Sequence, residues 1–144
     1  MKFFISYCNN DGLMYAFNAA SILEANLHIA WYFDRDKSTG ILRAVDITNH
    51  IRYWCDKILF LCTDKSIHSD GQWKEIGQWD QTNKQILVIP IDNARVPDVI
   101  DPYIYTKIHG KKFVAEFQEF VQNRLNGITD DFEEWTKKIS IKNE

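Results

Sequence analysis

No apolar run in the sequence approaches the roughly 20 residues that a membrane-spanning helix requires. The longest, Ile58-Leu59-Phe60-Leu61-Cys62 and Ile86-Leu87-Val88-Ile89-Pro90-Ile91, are strand-sized, so no membrane partner is expected. A basic excess is missing too: the net charge of -3 and a pI near 5.8 argue against nucleic acid, whose binders display a basic face. The only adjacent basic pairs, Lys111-Lys112 and Lys137-Lys138, read as solvated helix ends. Cysteine is scarce. Cys8, Cys55 and Cys62 form no C-x-x-C pair, and their odd number suits a reducing compartment better than a disulfide framework. His28, His50, His68 and His109 lack ligand spacing, so no metal site is expected. Met1-Lys2 is too short to be a charged leader ahead of the apolar stretch, and a cytoplasmic location is the expectation.

What is present is an alternation of two hydrophobic periods in a chain of 144 residues, the size of one domain. Phe3-Phe4-Ile5-Ser6-Tyr7 reads as a buried strand, over residues 2 to 7, that ends abruptly in polar residues. Asn9-Asn10-Asp11-Gly12 follows, with Asp11 placed to cap a helix bearing Leu13, Ala16, Phe17, Ala20, Leu23 and Leu27. A second strand is expected over 27–33, then the charged loop Asp34 to Gly40, then a helix with Ala44, Ile47, Ile51 and Trp54 in register. A third strand over 57–62 leads into a polar loop, Thr63 to Gly71, and a short helix from about Gln72. A fourth strand over 85–91 and a weaker one over 103–108 precede a helix carrying Phe113, Phe117, Phe120, Val121 and Leu125. Strands alternating with helices imply parallel pairing, and strands apolar at every position imply helices on both faces. In such sheets ligands bind beyond the carboxyl ends of the strands, which directs attention to the loops after the first three.

Residues 127–144 read as a helical appendage to a domain of residues 1–126. Asp130 and Glu133 mark a helix start, and Phe132, Trp135 and Ile139 share one face. A terminal helix docked on its own domain is expected there, ahead of a partner-binding helix.

Taken in order, Phe4-Ile5-Ser6-Tyr7, Trp31-Tyr32-Phe33-Asp34 with Gly40, Cys55-Asp56-Lys57-Ile58-Leu59-Phe60-Leu61-Cys62-Thr63, Trp73 with Glu75, and Ile89-Pro90-Ile91 carry a likeness. Over residues 2 to 125 the chain resembles a TIR domain, the Toll/interleukin-1 receptor family. The resemblance implies a flavodoxin-like, three-layer α/β fold with a five-stranded parallel sheet and helices on both faces. Many members of that family cleave NAD+ at the nicotinamide glycosidic bond with a glutamate on the helix after the third strand, and Glu75 matches it. Tyr7, Cys8 and Asn9 would lie near the ribose and phosphates. Gly40, Leu42 and Trp73 would shape the nicotinamide side, with Asp34 also among the substrate-binding residues. In relatives a tryptophan usually stands four residues before the glutamate; here Gly71 has that place, and Trp73 stands two before it.

The implied chemistry needs little machinery. Nicotinamide leaves as a neutral molecule, so no general acid is required, and a carboxylate facing the ribosyl oxocarbenium ion lowers the barrier. NAD+ is then a substrate and no cofactor is needed. Capture of the ribosyl centre by water gives ADP-ribose; capture by the folded-over adenine or a ribose hydroxyl gives a cyclic ADP-ribose. A small stand-alone member is similar to bacterial anti-phage proteins that make such a signal for a separate effector. The family also implies homotypic self-association, to which the Asp34 to Gly40 loop would contribute. A non-catalytic module that signals by TIR–TIR docking is the alternative.

Plainer roles exist for several of these residues. Glu75 near a helix start is favourable for the helix dipole alone. Trp73, Ile76 and Trp79 would form a buried stripe, and Cys8 after a buried strand is a small apolar filler. Asp34 and Asp36, interleaved with Arg35 and Lys37, suit a solvated loop. Two other doubly wound folds are excluded. Ser6-Tyr7-Cys8-Asn9 lacks the carboxylates with which a response-regulator receiver holds magnesium, and Gly12 alone does not make the G-x-G-x-x-G of a dinucleotide-binding domain.

Overall fold

The computed structural model describes residues 1–36 and 41–127. Strands β1 (Lys2–Ser6), β2 (Ile29–Trp31), β3 (Lys57–Cys62) and β4 (Gln85–Pro90) form one parallel sheet in the order β2-β1-β3-β4. Helices α1 (Leu13–Ala25), α2 (Phe33–Asp36), α3 (Ile41–Asn49), α4 (Asp70–Asp80) and α5 (Phe113–Asn123) connect and flank it. Phe33–Asp36 is thus a single helical turn where the sequence predicts the last strand residue and the start of the charged loop. Of the predicted appendage only Gly127 is described, ending a 3₁₀ turn over Leu125–Gly127; Asp130, Phe132, Glu133, Trp135 and Ile139 lie outside the described residues.

Side chains alternate across the sheet with the strand period of two. Phe3 and Ile5, Leu59 and Leu61, Leu87 and Ile89 pack with Ala16, Ala20, Leu23, Phe117 and Val121 on the face covered by α1 and α5. Phe4, Ile58, Phe60, Cys62, Ile86 and Val88 pack with Ile51, Ile76 and Trp79 on the other, covered by α4 and the π-helical stretch His50–Trp54 that continues α3. Burial on both faces explains why these strands read as unbroken apolar runs.

Among the described residues the sheet has four strands, not five. The chain beyond β4 makes two isolated parallel bridges, Val88 to Ile104 and Ile91 to Ile108. Four residues on the outer segment span what three span on the inner one, so the register slips by one and no ladder forms. Pro90, with no N–H, only accepts there, from Ile108 N–H at 3.0 Å, and the expected strand start at Tyr103 closes a 3₁₀ turn instead.

The apolar face of α1 also differs from the predicted one. Ala16, Ala19, Ala20 and Leu23 are buried, whereas Leu13 and Phe17 are exposed, because small side chains let the helix lie close to the sheet and α5. Leu27, placed on that face and in β2 by the sequence, belongs to neither: it is 92% exposed, and its φ of 68 turns the chain from α1 toward β2.

Two thiols are sealed in the second core. Cys55 Sγ donates to Ile51 O at 3.4 Å and Cys62 Sγ to Arg95 O at 3.1 Å, and burial pushes each up from 9.0 to about 11. The unfolded chain therefore gives up these protons first, so stability is full below the ordinary thiol value and falls as pH rises toward the folded one, by at most about 2–3 kcal/mol per thiol. Urea unfolding at about pH 8 and about pH 10.5 should show this loss, and a Cys55→Ala/Cys62→Ala variant should lose less between the same two conditions. Equal pH dependence in both proteins would mean that the thiols do not contribute.

Candidate functional site

β1 is central, and the chain leaves it toward α1 on one face, while β3 beside it delivers the chain to α4 on the other. Connections that diverge from adjacent strands open a crevice at their carboxyl ends. A cavity of about 550 Å³ lies there. Tyr7 and Asn9 line it from the loop after β1; Ser69, Gly71, Lys74, Glu75 and Gln78 line it from α4 and its approach; Phe33, Ala44 and Ile47 add an apolar wall.

Glu75 is half-buried, and its Oε1 accepts a 2.7 Å hydrogen bond from Ser6 Oγ at the end of β1. Ser6 Oγ in turn accepts from Gln72 Nε2 at 3.3 Å, and the same nitrogen donates to Leu61 O at 3.0 Å. Gln72 and Glu75, three apart, share one face of α4 and address the sheet end together. The helix starts where it does because Ser69 Oγ accepts from the Gln72 N–H. Gln78, one turn beyond Lys74, accepts at Oε1 from Arg52 Nε at 2.8 Å, which ties the cavity wall to the π-helical stretch.

Tyr7 donates its hydroxyl to Asp34 Oδ2 and accepts the Asp34 backbone N–H at 3.3 Å. Burial first, and the bond to Asp34 second, push the Tyr7 phenol far above its ordinary range, so it remains a donor. Asp34 is thereby engaged with the protein at the start of α2, at the base of the charged segment.

Asp11 serves differently from its predicted part. The N-cap of α1 is Gly12, with no side-chain cap bond. The Asp11 carboxylate accepts instead from Thr63 Oγ1 and from Lys65 N–H at 3.1 Å, joining the loops after β1 and β3. Gly12 is required for the turn: a Cβ there would stand 2.7 Å from Cys8 O.

Of the residues implied by the resemblance, Glu75, Tyr7 and Asn9 line one cavity, and Asp34 reaches it through Tyr7. Cys8 is buried and lines a second cavity of about 460 Å³ with Asn9, Lys65 and His68. Trp73 does not line the first cavity: it is 40% exposed and its Nε1 donates to Ile67 O at 2.9 Å. Residues two apart on a helix face different directions, whereas residues four apart share a face, and Gly71 lines the cavity accordingly. Ile76 and Trp79 continue as buried core. Gly40 lies outside the described residues, and Leu42 falls in the first turn of α3. Sequence reasoning passed over Ser6 and Gln72 as site residues; a serine closing an apolar strand and a glutamine three before the glutamate were the signals.

Among the described residues no group of three or more His, Cys, Asp or Glu is placed to hold a metal, and no helix is long and apolar enough to cross a membrane. No protein-family profile matches the chain, and no curated protein matches it.

The Tyr7 to Asp34 bond gives a direct test of the cavity wall. Tyr7→Phe should cost about 1.5–3 kcal/mol in denaturant unfolding, as expected for a hydrogen bond to a carboxylate. An unchanged midpoint would show that the bond contributes nothing to holding α2 against β1.

Proposed function

We propose that this protein is a TIR-type NAD+ glycohydrolase or cyclase, working in the cytoplasm, with Glu75 as its catalytic carboxylate. What supports this is one geometric fact: the carboxylate of Glu75 borders a cavity at the carboxyl end of a parallel sheet and is held by Ser6 from the central strand. The order β2-β1-β3-β4, with an irregular fifth segment beside β4, is compatible with the flavodoxin-like topology of that family.

On this proposal the nicotinamide riboside part of NAD+ enters the cavity with its ribose against Glu75. The carboxylate accepts hydrogen bonds from ribose hydroxyls and faces the positive charge that develops as the C–N bond breaks. Nicotinamide takes the bonding electrons and departs neutral, which leaves no proton to be supplied. Phe33 and Ile47 offer apolar surface to the departing ring, while Tyr7 and Asn9 offer polar groups to the sugar and phosphates. A fixed carboxylate acts more strongly on the transition state than on the neutral ribose, so its contribution falls on kcat. Water then gives ADP-ribose, or an internal nucleophile gives a cyclic product suited to signalling to a separate effector in anti-phage defence. Association between copies would complete the active form.

Purified full-length protein at high concentration should release free nicotinamide from NAD+, and Glu75→Gln should lower that rate by at least about 100-fold. Release by Glu75→Gln equal to wild type would move the site elsewhere. No release by wild type, dilute or concentrated, would favour a non-catalytic docking module.

A further inference from the structure

We infer that Ser6 and Gln72 are positioning residues: a directed hydrogen-bond chain from Gln72 through Ser6 holds the Glu75 carboxylate in its working orientation. This rests on the reading of Glu75 given above.

A serine hydroxyl has one proton and two lone pairs. Gln72 Nε2 fills an acceptor position of Ser6 Oγ at 3.3 Å, so the single proton of Ser6 is directed to Glu75 Oε1 at 2.7 Å. The amide cannot turn over, because its oxygen would then face Leu61 O, which now accepts from Nε2 at 3.0 Å. Ser6 and Gln72 are each 1% exposed, so water does not compete for these groups. The carboxylate is thereby anchored at one oxygen by a donor on a rigid central strand.

The amide of Gln72 is only partly used: Nε2 donates to Ser6 Oγ and Leu61 O. Its Oε1 is buried with no hydrogen-bond partner among the described residues, a condition that costs about 1–3 kcal/mol relative to an apolar side chain of the same shape. Methionine would remove that cost but would also take the Nε2 donor from Leu61 O and Ser6 Oγ.

The test is a set of three variants, Ser6→Ala, Gln72→Met and the double variant, with nicotinamide release, thermal unfolding and the Glu75 carboxyl carbon resonance as readouts. Ser6→Ala should lower kcat about ten-fold with KM nearly unchanged. Gln72→Met should lower kcat about three-fold and displace the Glu75 resonance at temperatures well below its Tm, which a loss of stability alone would not do; Tm itself should fall by a few degrees because Leu61 O loses its donor. Because Gln72 acts through Ser6, the double variant should be no slower than Ser6→Ala alone. Full activity in both single variants, or losses that multiply in the double variant, would overturn the chain. If wild type releases no nicotinamide, the enzymatic reading fails separately and the resonance decides: displacement in both single variants supports the chain, and no displacement in either refutes it.

Discussion

A buried hydroxyl must be satisfied, and that requirement at Ser6 couples the sheet of this protein to its candidate site. Every other residue of β1 that enters the interior is apolar, so the strand ends at its first polar group, between two neighbours with which it pairs in parallel. The partners that answer Ser6 both come from α4, the helix delivered by the adjacent strand. Placement of Glu75 is therefore a property of the sheet register as much as of the helix. Loss of pairing between β1 and β3 would carry Ser6 and α4 apart.

A second tie acts at the same end of the sheet. Asp11 bonds to Thr63 and Lys65, so the two loops that diverge to opposite faces are fastened at their roots while the space above them stays open. Tyr7 and Asp34 fasten the loop after β2 in a similar way. Three connections are thus held by side-chain bonds among themselves, with the cavity between them.

The parts legible in the sequence were those fixed by local rules. Strands over 57–62 and 85–91 announce themselves because burial on both faces leaves no polar interruptions, and α5 because its phenylalanines recur at helical spacing. Convergence of the loops at one end of a parallel sheet pointed to Tyr7 and Asn9, whereas Glu75, on a helix, could be named only through the family resemblance. What was not legible depended on three-dimensional competition. Asp11 has the chemistry of a helix cap but finds better donors across the crevice, and Trp73 faces away because helical geometry gives a two-residue spacing a different direction. The slip between Ile104 and Ile108 depends on which carbonyls β4 presents, which no pattern in the outer segment records.

That slip also governs how the sheet meets other molecules. An open parallel sheet made of apolar strands offers its edges as templates on which a foreign strand can grow. Here one edge, β2, is only three residues long, and the other is screened by a segment too irregular to be extended in turn. Among the described residues the main chain thus offers little for a neighbouring copy to continue. The described elements leave contact between copies to side-chain surfaces, where contacts can be released, rather than to backbone accretion, where they rarely are.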